Sequence, residues 1–218
     1  KVAHLDDTLA SIEAERARSG GEFVLVDDGS TDGSRDTLWR FAEAHPQTRL
    51  IAQANQGVVG ATNTGFTEAR EQMIRFCDAD DLLAAGSSEV LLQALEATNA
   101  DLAFGSHETY LSKPNSSPAV AGNRPAKLLE APLRSALRRN LFSPSSTLLT
   151  RRAAERILPL PEGYRTSQDY MMGLRACFCA SIARVDAALS FGPEHYGDRL
   201  SADPARMYGE TARFLAEE

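Results

Sequence analysis

The chain has 218 residues, of which 43% are hydrophobic and 24% charged, and its formal net charge is −7. That length suits one medium-sized domain with a full core, and the composition excludes a disordered chain. The acidic balance offers no general attraction to a polyanion, so no nucleic-acid partner is expected.

The longest apolar runs, FVLV at 23–26 and the stretch 182–189, are too short or too interrupted for a bilayer span, which needs roughly 20 apolar residues. The opening KVAHLDDTLAS is amphipathic and acidic, unlike a secretory leader. Cys77, Cys177 and Cys179 are odd in number and lie in apolar stretches, which reads as reduced core thiols and not a disulfide framework or zinc site. Together these features give a cytoplasmic location as the expectation.

In chain order, residues 2–18 place Leu5, Leu9 and Ile12 at helical spacing, stopped by Gly20-Gly21. EFVLV reads as a buried strand that ends abruptly in DDGSTDGS. Next come a helix over 34–44, a short strand at 49–52 and a helix from NQGVVGATNTG to about Arg70. QMIRFC (72–77) is a third strand, ending in DADD; a helix over 87–98 and a strand at 100–105 complete the first half. Four alternations of strand and helix predict a mostly parallel sheet with helices on both faces.

The second half is less regular. Residues 112–126 are rich in Pro, Ser and Gly and read as a long loop. Beyond it the pattern gives a helix near 130–139, a strand at 147–150, helices at 151–157 and 168–177, two short strands within 182–191 and a helical tail over 204–217.

Ligands of such sheets sit at the carboxyl ends of the strands. Both acidic clusters, Asp27-Asp28 and Asp78-Ala79-Asp80-Asp81, fall there. Gathered carboxylates repel one another unless a cation compensates, and Mg²⁺ or Mn²⁺ suits carboxylate oxygens together with substrate phosphates. A lone D-x-D is a common turn feature; its pairing with DDGSTDGS after VLV makes the pattern specific. In that turn Asp28 can accept from an imide or a ribose hydroxyl, the glycines allow close backbone approach, and Asp32 or Ser34 can cap the next helix.

VLVDDGSTDGS, NQGVVGATNTG and IRFCDADDLL, in this order and spacing, resemble three signature segments of the family 2 glycosyltransferases. The resemblance covers roughly residues 1–105 and continues more weakly to about 201. It implies a GT-A fold, an α/β architecture with a mostly parallel Rossmann-like sheet and a smaller acceptor-side region. It divides the chain into a donor-binding half at 1–105 and an acceptor-binding half at 106–218. It implies inverting transfer of a sugar from a nucleoside-diphosphate sugar, UDP being favoured, to a saccharide or lipid-linked saccharide, with Mn²⁺ or Mg²⁺ as cofactor. Asp27 and Asp28 would bind the donor, with Asp28 on the base; Asp78 would lie against the ribose, Asp80 would hold the metal, and Asn63 and Arg70 would line the nucleotide pocket. Ser167-Gln168-Asp169-Tyr170 stands where the family has a Glu-Asp pair, so Asp169 is the expected general base, with Gln168 a departure from the pattern. His195, in PEHYGDRLS, resembles a basic C-terminal segment near the diphosphate and metal, with Arg199 as the alternative cation.

The family opens with an apolar strand and turn that hold the nucleotide base. Lys1-Val2-Ala3-His4 resembles the residues directly after that turn, so further chain is expected upstream. Arg134, Arg138, Arg139, Arg151 and Arg152 flank NLFSPSSTLLT and read as a solvated face, with peripheral contact at the inner face of a membrane as the alternative. A nucleotidyltransferase would want a Gly-rich phosphate loop, and a haloacid-dehalogenase-like phosphatase an early nucleophilic Asp with a downstream Lys; neither pattern is visible. A non-catalytic sugar-nucleotide-binding module is the remaining rival.

Overall fold

The computed structural model describes residues 2–112, 114, 118–120, 124–138, 140–194 and 204–217. The first unit is a parallel pair, β1 (Phe23–Asp28) and β2 (Thr48–Gln53), in register from Phe23↔Thr48 to Asp28↔Gln53. Helices α1 (Val2–Ser19), α2 (Ser34–Ala44) and α3 (Gly57–Glu68) alternate with them. Leu5 and Leu9 of α1 meet Leu38 of α2 over Leu25 and Leu50, a small core of its own.

A second sheet has six strands. They are β3 (Met73–Ile74), β4 (Leu82–Leu83), β5 (Leu102–Tyr110), β6 (Ala126–Leu128), β7 (Thr147–Thr150) and β8 (Ile182–Pro193), in the order β3-β7-β5-β8-β4 with β6 also on β8. Only β5 and β8 run parallel; the pairs β3–β7, β5–β7, β4–β8 and β6–β8 are antiparallel. The expected mostly parallel sheet is therefore mixed, because the second half of the chain feeds β7 and β6 into it against the direction of β5 and β8. The division at residue 105 falls inside β5, so both halves share one sheet.

Strand alternation sorts the core onto two faces. Leu102, Phe104, Leu149 and Ile182 point to the side packed by α6 (Arg151–Ile157), α7 (Gln168–Cys179) and α8 (Pro204–Glu217), where Met171, Met172 and Phe214 are sealed from solvent. Ala103, Leu148, Ala183 and Val185 point to the other side, under Val90, Leu91, Ala94 and Leu95 of α4 (Ser87–Thr98). A short α5 (Pro132–Ala136) lies against α7.

Two expected elements come out differently. The strand at 72–77 ladders only over Met73–Ile74, because the chain beyond turns its groups onto Ser145 instead. The two short strands expected at 182–191 are one 12-residue strand whose pairing with β5 shifts register between Phe104 and His107. Gly105 permits that irregularity, since a Cβ there would lie 2.6 Å from the Ala187 carbonyl oxygen and 2.5 Å from the Leu189 side chain. The three thiols are free and half-buried instead of sealed in the core, and burial pushes Cys177 up to about 11. Among the described residues no helix is long and apolar enough to cross a membrane.

Candidate active site

The turn after β1 is built around its two aspartates. Asp27 is sealed from solvent, its Oδ1 accepting from Ser30 N–H at 2.9 Å and its Oδ2 from Arg35 Nε at 2.6 Å. Burial pushes its pKa up, but the hydrogen bonds from Ser30 and Arg35 outweigh that and hold it below the ordinary value. Asp28 faces the start of α3: its Oδ1 accepts from Gln53 Nε2 and Gln56 N–H, each at 2.8 Å, and its Oδ2 from Gly57 N–H at 2.8 Å. Asp28 thus anchors the α3 N-terminus, and Oδ2 keeps acceptor capacity for one further donor. Asp32 accepts from Ser34 N–H and Oγ at 3.1 and 2.6 Å, which fixes the entry to α2.

The second acidic cluster is a turn closed by Asp81 N–H on the Asp78 carbonyl at 3.1 Å, with Asp80 and Asp81 buried. It is held from three sides. Helix α1 presents a buried polar stripe: Thr8 Oγ1 donates to the Ala79 carbonyl at 3.2 Å, Ser11 Oγ accepts from Leu83 N–H at 3.1 Å, and Glu15 accepts from Gly86 and Ser88 N–H at 2.6 and 2.7 Å. Arg75, just upstream, is buried with Glu15, its Nη1 lying 3.8 Å from Glu15 Oε2. Its guanidinium donates to Ser87 Oγ at 2.9 Å, Ser88 Oγ at 2.8 Å and the Ser145 carbonyl at 2.8 Å. Burial lowers the Arg75 pKa to about 10, which leaves it charged at neutral pH. On the third side, Ser145 Oγ accepts from Asp78 N–H at 3.1 Å, and Asp81 Oδ2 stands 3.6 Å from His107 Nδ1, which also meets Ser190 Oγ at 3.0 Å. Gly192 lets these groups close up: a Cβ there would sit 2.6 Å from Asp81 Oδ1 and 3.0 Å from the His107 ring. The cluster projects a negative field, since burial and then the charges of Asp7, Asp81 and Asp80 raise the pKa of Tyr110.

Asp169 lies in the first turn of α7, after Ser167, a non-glycine residue at φ 63°. Its Oδ1 accepts from Tyr170 N–H at 2.8 Å and its Oδ2 from Asn140 Nδ2 at 2.5 Å. Burial raises its pKa above the ordinary aspartate value, with the hydrogen bonds from Tyr170 N–H, Asn140 and its own backbone N–H opposing only in part. The strained turn before it is gripped by Glu210 of α8, whose Oε2 accepts from Thr166 N–H at 2.9 Å and Thr166 Oγ1 at 2.6 Å.

Three links connect the segments that carry these groups. Val2 N–H reaches Asp32 at 3.2 Å and Thr8 reaches Ala79; six helical residues separate them, about 9 Å along α1. Arg165 donates to Asn55, whose Nδ2 donates to the Asp28 carbonyl, and Gly57 approaches Arg165 so closely that a Cβ would lie 3.1 Å from its Cα. The segment 140–145 runs from Asn140 on Asp169 to Ser145 on Asp78.

Two expected pocket residues are engaged with other partners. Asn63 is paired with the main chain of Leu160, donating to its carbonyl at 2.9 Å and accepting its N–H at 2.8 Å, which locks α3 to the loop before α7. Arg70 lies past the far end of α3 and its N–H bonds Glu22, ahead of β1; β1 puts the Asp28 end about 20 Å away. His195 and Arg199 lie outside the described residues. Glu15, Arg75, His107, Asn140, Ser145 and Glu210 join the site from outside the expected set; the one local signal for any of them is a charged residue, Arg75, inside an apolar strand.

The carboxylates are hard oxygen donors suited to Mg²⁺ or Mn²⁺. Among the described residues no group of three or more His, Cys, Asp and Glu side chains is arranged to hold an ion.

The chain aligns over 198 residues, at 27% identity, with an uncharacterized glycosyltransferase of Nostoc sp., covering 86% of this chain and 60% of that protein. It shares 38% identity over 101 residues with the uncharacterized glycosyltransferase YibD of Escherichia coli, 43% of this chain and 29% of that one. The chain thus spans less than two thirds of the length of these relatives. Its fold superposes on Staphylococcus aureus TarS in complex with UDP-GlcNAc with a TM-score of 0.77, at 16% identity, covering 99% of this chain and 62% of TarS. The mannosyltransferase PcManGT of Pyrobaculum calidifontis, in complex with GDP-Man and Mn²⁺, superposes with a TM-score of 0.67 at 18% identity, over 100% of this chain and 60% of that one. The "Glycosyl transferase family 2" model matches residues 3–158, across both acidic clusters, and the chain belongs to that family, with the GT-A fold.

Proposed function

We propose that the chain catalyses inverting transfer of a sugar from a nucleoside-diphosphate sugar to an acceptor hydroxyl. The observation that carries this reading is that short bonded links tie the segments of three carboxylate sites, Asp27-Asp28, Asp78–Asp81 and Asp169, to one another. Residues 1–105 supply the donor side and 106–218 the acceptor side.

Asp28 Oδ2 takes the imide N–H of a pyrimidine base, and uracil fits because it offers a donor where adenine and cytosine offer acceptors. That TarS is seen with UDP-GlcNAc supports UDP, although PcManGT is seen with GDP-Man. Asp78 meets the ribose and Asp80 holds Mn²⁺ or Mg²⁺. A metal bound there neutralises charge growing on the leaving diphosphate. Asp169 takes the proton from the acceptor hydroxyl; the oxygen forms a bond to the anomeric carbon as the bond to the donor phosphate oxygen breaks, its electron pair leaving with the diphosphate. Attack opposite the leaving group inverts the anomeric centre. A raised Asp169 pKa suits a base working near neutral pH. The acceptor is a saccharide or lipid-linked saccharide; Arg134 and Arg138, on exposed positions of and after α5, are the groups to meet an anionic acceptor or a membrane surface.

Calorimetric titration of UDP, GDP and dTDP, with and without Mn²⁺, tests the donor site. Metal-dependent binding of one nucleotide, lost in Asp80→Ala, is the expected result. A folded protein that binds none of the three, or binds with no response to metal or to Asp80→Ala, overturns the reading.

A further inference from the structure

Among the described residues Asp169 has one side-chain hydrogen-bond partner, and it comes from another part of the chain. Asn140 Nδ2 lies 2.5 Å from Asp169 Oδ2, while Oδ1 is fixed by Tyr170 N–H at 2.8 Å. One carboxylate oxygen is thus held by the helix itself and the other by the strap that leads into β7. The strap continues from Asn140 to Ser145, whose Oγ receives Asp78 N–H and whose carbonyl receives the Arg75 guanidinium. Phe142, between them, is buried against Phe104 at a ring separation of 5.5 Å, so the strap has a fixed seat in the core. Asn140 itself is exposed, and nothing in the packing of the core needs an amide there.

We infer that Asn140 is a positioning residue for the base: it fixes the rotamer of Asp169 and, through the strap to Ser145, the distance of that carboxylate from the donor-side acidic turn. This rests on the assignment of Asp169 as base. A carboxylate with two free rotamers presents a lone pair to the acceptor only part of the time, whereas a hydrogen bond from a fixed strap removes that freedom. The ionised carboxylate is also the stronger acceptor, so the same contact favours the charged, proton-accepting form against the burial that opposes it. The ionisable side chains on the elements packed against α7 include Arg134 of α5, Glu68 of α3, Arg156 of α6 and Glu210 of α8, with Arg165 in the preceding turn. Among the described residues, the forces that set the Asp169 pKa are burial and hydrogen bonds.

The test is a ¹³C NMR titration of the Asp169 carboxyl, assigned by its loss in Asp169→Asn, beside steady-state kinetics with the nucleotide sugar chosen by the titrations above. In Asn140→Ala the carboxyl is expected to titrate at higher pH than in the parent, with kcat lowered roughly tenfold, the loss of about 1.4 kcal/mol, and the donor KM unchanged. Asn140→Gln, which keeps an amide, is expected to fall between the two, and Asn140→Ser, too short to reach, to behave as Asn140→Ala. An Asp169 titration that stays put or moves down in both Asn140→Ala and Asn140→Ser overturns the inference while leaving the base intact. Turnover that survives Asp169→Asn overturns the base assignment, and the inference with it.

Discussion

Replacing Arg75 by Met tests whether the acidic turn is held by a buried charge network. Arg75 keeps only 10% of its side chain exposed and Glu15 only 4%. The guanidinium binds two serine hydroxyls and the Ser145 carbonyl, and it also approaches the Leu189 carbonyl at 3.3 Å. Methionine matches its stem but leaves two buried carbonyls and an acidic partner without it. Charged hydrogen bonds contribute about 1.5–3 kcal/mol each, yet desolvating the pair costs several kcal/mol, so the sum of contacts overstates the effect. Removing one member of a buried pair costs about 3–5 kcal/mol, which for a domain of this size lowers the melting temperature by roughly 6–20 °C. Urea unfolding at pH 7 should show that loss as a lower midpoint with an unchanged slope. The double variant Arg75→Met/Glu15→Gln should be less destabilised than the two single losses summed, because neither charge is then left alone. A cost below about 1 kcal/mol for Arg75→Met, or strict additivity with Glu15→Gln, refutes the reasoning.

Asp169→Asn should reduce turnover by about 10²–10⁴-fold, the range for losing a general base, while calorimetry shows the nucleotide still bound. The pH profile of kcat/KM should fall on the acid side through a pKa above the ordinary aspartate value, because protonated Asp169 cannot accept a proton and burial raises that pKa. Its effect on stability has the opposite sign: the fold favours the protonated form, so that contribution is present below the ordinary value and lost as pH rises through the folded one. Asp101 works the other way. Burial opposes its charge, but Ser181 N–H at 3.0 Å, Ser181 Oγ at 2.9 Å and Arg152 hold its pKa down; Asp101→Asn should cost about 1–3 kcal/mol at neutral pH, a difference that fades as pH falls through the folded pKa, measured by thermal melts across pH. Gly192→Ala should push Asp81 and His107 apart and weaken metal-dependent nucleotide binding by at least tenfold in the same calorimetry, at a stability cost of about 1–3 kcal/mol.

Much of the architecture is legible in the sequence because it is local. The spacing of Leu5 and Leu9, the cap-like Asp32-Gly33 before Ser34 and the run from Ser87 to Thr98 place three helices to within a residue of where they lie. The position of Asp27-Asp28 at the end of β1 is equally local, whereas Asp78–Asp81 lies four residues beyond β3, which stops at Ile74. Pairing direction is not: that β7 enters antiparallel between β3 and β5 depends on where a chain segment about 40 residues away returns, and no periodicity carries that. Arg70 could have been placed by length alone, since the 12 residues of α3 span about 18 Å and carry it away from the turn that holds Asp28. Asn63 could not, because its partner is the main chain of Leu160, 97 residues on. The groups that steady the acidic turn come from Glu15 and Ser145, 60 residues before and 70 after Arg75. Only the oddity of an arginine in QMIRFC hints that a partner exists.

The polar stripe on α1 governs how accurately the acidic turn is placed. A helix seated on aliphatic side chains alone can slide or roll by a fraction of a turn and recover most of its contacts, since apolar attraction has no direction. Thr8, Ser11 and Glu15 remove that latitude: displacement by one residue, about 1.5 Å along the axis and 100° around it, breaks every bond they make to Ala79, Leu83, Gly86 and Ser88 at once. Helix α1 can dock in one register only, and the carboxylates of the turn take their coordinates from it.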